Sequence, residues 1–333
     1  MFYLLSLITG VLECGGIVYG VVHSLPLWKI LCFPLAYHIG NLFPKPFSLN
    51  YGILRIMCVL SAVLGLVLYG VNLSDRTDFV LRCLVLFLTS AVIQSLRSGM
   101  KSDGNRLLKR VFRVVGFILA PLVVLIPDEI MLFSSVVALL SIKECSDKSS
   151  ITCMFSQNGF SFVMLFHQLH YFFYAHITLA SMSLLFSCSS NSGVVISAIL
   201  FCGTWVTYIS VEPVVSRITK RFLTVFYVGH IGISVLLLLM YYVASVPIFI
   251  VLWLMTGFGG GVVYTISAKA KEMGYYNKDS MVIAENIGHT LGLLIAVGIS
   301  VLWATDAPRI MLIFGAVSAL LAVVSMILIT RRG

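Results

Sequence analysis

A chain of 333 residues that is 59% hydrophobic and only 11% charged, with a mean hydropathy of +1.04, has too few charges to clothe a soluble surface. Apolar runs of 18 or more residues recur along it, which predicts a polytopic membrane protein and excludes a series of soluble domains. The net charge of +9 would suit nucleic acid, but the positions of the charges make it a topology signal instead.

The apolar runs predict twelve helical spans, at about 2–22, 26–43, 51–72, 78–97, 108–126, 128–142, 158–186, 193–214, 222–243, 246–267, 280–303 and 308–330. Pro26, Pro44, Pro127, Pro247 and Pro308 stand at the junctions, where a missing N–H costs least. The opening MFYLLSLITG has neither a basic segment nor a small-residue cleavage site, so it is expected to be a retained first span. The fold expected is an all-α bundle pair: residues 1–142 as six spans, 143–157 as a central cytosolic loop, and 158–333 as six more.

Numbering the connections alternately from an inner N-terminus leaves only Lys29, Arg76, Arg82 and Arg309 outside; the other 18 of the 22 lysines and arginines lie inside. Cytosolic loops carry such an excess of basic residues, so both termini, Lys101 and Lys148 are expected in the cytosol of a cell-membrane protein. The eight cysteines form no C-x-x-C pair, and Cys145 and Cys153, in one cytosolic loop, read as plain thiols.

Polar residues inside the spans are the candidates for function, because each is costly in hydrocarbon. In the stretch 158–186, His167, His170, Tyr171 and Tyr174 fall at offsets 0, 3, 4 and 7 and share one helical face; His176 falls on the other. Histidine titrates nearest neutral pH and suits a proton relay or a substrate contact. Two imidazoles at i, i+3 could also ligate a metal, but only with further ligands from elsewhere, so no metal site and no cofactor is expected. Glu13 is the one carboxylate well inside the first half, a candidate proton carrier, with Gly16 and Gly20 on its face. Glu285 and His289 sit one turn apart near a cytosolic helix end and read as a gating pair. Glu212, beside Arg217, Lys220 and Arg221, reads as a cytosolic gate. His38 and His230 stand singly and suggest no chemistry by themselves. No phosphate-binding lysine loop, G-x-S-x-G or DNA-reading motif occurs.

Three stretches carry a family resemblance. The first is LWLMTGFGGGVVYTISAKAKEMGYYNKDSMVIAENIGHTLGLLIAVGI, a glycine-rich helix, a basic loop and a small-residue helix. The second is EPVVSRITKRF from Glu212, a proline followed by scattered basic residues. The third is Gly116-Phe-Ile-Leu-Ala120-Pro121. In these the chain resembles the major facilitator superfamily, respectively its tenth and eleventh spans, its loop between spans eight and nine, and the G-x-x-x-G-P motif of its antiporter branch. The acidic residue that the family carries between spans two and three is absent after Gly40, where the chain reads NLFPKPFSLNYGILR.

The resemblance implies two pseudo-symmetric six-helix bundles and a central cavity lined by spans one, four, seven and ten. Carried over by position, the cavity would hold Glu13, Gln94, His167, His170, Tyr171, Tyr174, Trp253, Thr256 and Tyr264. It implies a monomeric, proton-coupled exporter of a small organic molecule working by alternating access in the lipid bilayer, and no enzyme. Two other readings stay open: an integral-membrane transferase using His167 and His170, and a receptor or scaffold that transports nothing.

Overall fold

The computed structural model describes residues 2–42, 51–99, 106–120, 126–141, 159–180, 185–186, 190–217, 221–259 and 262–331. Its elements are helical throughout, with no strand among the described residues. They are α1 (Phe2–Val22), α2 (Leu27–Leu42), α3 (Tyr51–Gly70), α4 (Asp75–Gly99), α5 (Arg106–Leu119), α6 (Pro127–Ser141), α7 (Gly159–Ala180), α8 (Ser190–Arg217), α9 (Phe222–Tyr242), α10 (Val246–Phe258), α11 (Val262–Glu272), α12 (Lys278–Leu302) and α13 (Ala307–Thr330). Seven helices are long and apolar enough to cross a bilayer among the described residues: Tyr3–Val22, Gly52–Gly70, Asp75–Leu96, Val195–Val215, Phe222–Tyr242, Ser280–Leu302 and Ala307–Thr330. This is a multi-pass membrane protein. Side chains such as Ile56, Val228 and Leu302 stand open on the helix surfaces, as they do where lipid is the solvent.

Local chemistry sets the helix ends. Asp75 and Asp78 occupy the first turn of α4, where the helix dipole favours negative charge, and Ser74 Oγ bonds Thr77. The Asn277 side chain accepts the Ser280 N–H at 3.0 Å and caps α12. α11 ends where Gly274, at φ +73°, lets Tyr275 N–H return to the Ala270 carbonyl at 2.9 Å, a conformation that a side chain would strain. The tenth span expected over 246–267 holds two described helices, α10 and the start of α11, and residues 260–261 between them lie outside the described residues.

The chain forms two compact units, Met1–Cys153 and Met154–Gly333. The first holds α1–α6 around a core that includes Leu5, Phe33, Leu86 and Val92. Inside it Ser61, Thr89 and Ser135 join α3, α4 and α6 by hydroxyl bonds of 2.7, 2.8 and 3.2 Å, so three buried polar groups satisfy one another. α1 and α5 meet at Gly10 and Gly116. A Cβ on Gly10 would strike the Arg113 carbonyl and the Gly116 backbone, and one on Gly116 would strike the Leu7 carbonyl and Gly10. Only glycine allows two backbones this close. In the second unit α7 packs on α12 and α13, around Phe160, Met164, Phe226 and Met326.

Candidate functional site

In the second unit, α7 carries His167 and His170 one turn apart, 5% and 2% exposed. α9 supplies His230, wholly buried. His167 Nδ1 lies 3.0 Å from His230 Nε2, and one ligand-type nitrogen from each of the three rings falls within 4.8 Å of the others. The rings meet edge to face, with centroids 4.8 Å apart for His167–His170, 5.1 Å for His167–His230 and 5.6 Å for His170–His230. His230 Nδ1 lies 3.1 Å from the Phe226 carbonyl, which can only accept, so that nitrogen carries the proton and Nε2 presents its lone pair to His167. His167 Nδ1 then donates. The Phe226 ring covers His230 at 4.1 Å.

On the same helix the buried Gln168 turns to α12, where its Oε1 pairs with His289 Nε2 at 2.7 Å. Gly288 makes this contact possible: a Cβ there would press on Gln168 Cβ and the Leu165 carbonyl, both 2.8 Å away. Gln168→Leu removes the bond, and a net hydrogen bond contributes about 1 kcal/mol. A drop in melting temperature of the purified protein in detergent is expected, and an unchanged value would show that the α7–α12 contact rests on packing alone.

The first unit holds a charged site. Glu13 of α1, its side chain 3% exposed, accepts from Arg113 of α5 through Nη2 and, at 3.2 Å, through Nε. Arg82 of α4 grips Asp78 through Nε and Nη2 at 2.7 and 2.9 Å and pairs with Asp128 of α6 at 2.7 Å. Its guanidinium also lies 4.8 Å from the Tyr19 ring centroid of α1.

The expected residues separate accordingly. His167 and His170 come together; Glu13 belongs to the first unit with Arg113, and Gln94 is half-buried on α4. Trp253 is buried against Phe249, and Thr256 returns its hydroxyl to the Trp253 carbonyl at 2.6 Å. Tyr264 is half-buried against Phe222. Tyr171 and Tyr174 lie on α7 and Glu212 on α8, with side chains outside the described residues. Arg217 and Arg221 are exposed. Arg221 borders a cavity of about 550 Å³ lined by Thr224, Val228, Gly232 and Phe258. Glu285 is half-buried on α12.

Sequence reasoning missed two partners. His230 read as an isolated histidine, yet it completes the cluster. Arg113 counted as one more inner positive charge, although its place in the apolar run VFRVVGF marks it as a charge seeking a partner in the membrane.

No family model and no curated protein matches the sequence. Solved structures do match. A bacterial homologue of the iron transporter ferroportin, in an outward-facing state with soaked iron, superposes with a TM-score of 0.63 at 13% identity, covering 99% of each chain. A second structure of a bacterial ferroportin homologue, in an outward-facing state, gives 0.62 at 13%, over 99% of this chain and 100% of that one. A variant of the nucleoside transporter NupG gives 0.62 at 11%, with the same coverage. The fold is shared with these membrane transporters. Their cargoes, iron and nucleosides, differ in kind, so the likeness extends to architecture and not to cargo.

Proposed function

We propose that this chain is a secondary active transporter of the major facilitator type, exporting a small organic molecule in exchange for protons. The observation that carries the reading is the fold, matched end to end by transporters of two unrelated cargoes. Two six-helix halves would rock about the midplane. Glu13 is the proton carrier of the first half and the His167–His170 face that of the second. Gln94, Tyr171, Tyr174, Trp253, Thr256 and Tyr264 line the path, while Glu212, Arg217, Arg221, Glu285 and His289 serve the cytosolic gate.

The Arg113 contact supports a specific form of coupling. A proton and a guanidinium compete for the same Glu13 oxygen, so a proton arriving on Glu13 releases the Arg113 side chain and removes this one tie between α1 and α5. Tyr3 of α1 also stacks on Phe112 of α5, with centroids 5.3 Å apart.

The test is purified protein in sealed vesicles with an imposed pH gradient, offered a panel of amphipathic organic cations, nucleosides and ferrous ion. Gradient-dependent flux of an organic solute, abolished by a protonophore, is expected. Absence of flux for every solute, in vesicles shown to contain folded protein, overturns the reading.

A further inference from the structure

We propose that His167, His170 and His230 form a binding site for one divalent first-row transition-metal ion in the second unit. The transport reading takes His167 and His170 as proton carriers and gives His230 no part.

The donor set and its geometry carry the proposal. Imidazole nitrogen is a donor for zinc, cobalt, nickel and ferrous iron, and the neutral ring is the ligand form. Metal–imidazole distances of roughly 2.0–2.1 Å place neighbouring ligand nitrogens about 3.0 Å apart in octahedral and about 3.4 Å apart in tetrahedral geometry. His167 Nδ1 and His230 Nε2 already stand 3.0 Å apart, and His167 becomes a ligand there when its proton moves from Nδ1 to Nε2, the ring staying neutral. All three donors fall within 4.8 Å, so the third has to close by about 1–2 Å, a ring rotation on an otherwise fixed helix.

The surroundings fit as well. Ligating histidines commonly give their second N–H to a carbonyl, which fixes the tautomer and aims the free lone pair. His230 does this with Phe226, and its aimed nitrogen is the one facing His167. His167 and His170 sit at i, i+3 on one helix, a spacing that presents two rings to one ion. Three neutral ligands leave a coordination position open, as in three-histidine zinc sites. Hydroxide or another anion there would offset part of the ion's charge, which a buried all-neutral shell does not.

Metal binding is measured on the full-length protein in detergent, purified without a polyhistidine tag, and needs no transport. Cobalt(II) and zinc(II) are titrated, with the cobalt visible spectrum and bound-metal analysis as readouts. One equivalent is expected, with a nitrogen-ligand cobalt spectrum and displacement of cobalt by zinc. His167→Ala and His230→Ala should each weaken binding beyond the roughly 10–100-fold that loss of an outer-shell partner costs. His23→Ala and His38→Ala, in the first unit, should leave it unchanged. His230→Gln serves if His230→Ala does not fold. Parent protein that binds neither ion at about 100 µM, or binding that survives loss of His167 and of His230, overturns the site. Either result leaves the transport reading to its own vesicle assay, and failed transport with intact metal binding would sink that reading alone.

Discussion

Glu13→Gln is expected to cost the folded protein about 3 kcal/mol, because removing one partner of a buried ion pair leaves the other charge uncompensated. That is a more than 100-fold change in the folded-to-unfolded ratio. Arg113 has an exposed fringe, its side chain 26% accessible, so the loss should fall at the low end of the range for such pairs. Arg113→Gln should cost a similar amount, since the orphaned Glu13 is the more deeply buried of the two. The double variant should recover much of the loss, two amides being able to bond one another. Unfolding in detergent by heat and by denaturant, read as a double-mutant cycle, measures the coupling directly. Additive losses would show that each residue acts through some other partner. In vesicles, Glu13→Gln should also abolish gradient-driven flux while leaving passive exchange, and unchanged flux would move the proton site elsewhere.

The second large effect is steric. Gly10→Val or Gly116→Val drives a side chain into a facing backbone, where no rotamer can relieve it. Overpacking of a core costs about 1–3 kcal/mol even when side chains can shift, so the loss here should reach or exceed about 3 kcal/mol. Little folded protein is expected from either variant. Gly298→Val is the control, since a Cβ on Gly298 meets nothing within 4 Å. Yields and melting temperatures of the three variants, side by side, decide it. A stable Gly10→Val protein would mean that α1 and α5 part easily.

The sequence revealed what is local. The apolar runs located α1, α9, α12 and α13 to within a few residues, because a membrane span is set by its own composition. The offsets of His167 and His170 placed both on one face, since helical periodicity is local too. Glu13 was conspicuous as a carboxylate among apolar residues. Its partner was not, because Arg113 lies 100 residues away beside a loop rich in basic residues, and nothing local separates a paired arginine from a topology charge. His230 stayed silent for the same reason: its meaning comes from α7, 63 residues earlier.

The Glu13–Arg113 contact has a consequence for how the protein is made. Ribosomes extend a chain at roughly 5–20 residues per second, so a carboxylate in the first helix waits about 5–20 s for a guanidinium that follows 100 residues later. Through that interval the α1 carboxylate has no Arg113 beside it and is costly in hydrocarbon unless water or other protein reaches it. α1 therefore settles only after the later α5 has reached it. The contact that closes the α1–α5 seam forms only when α5 arrives.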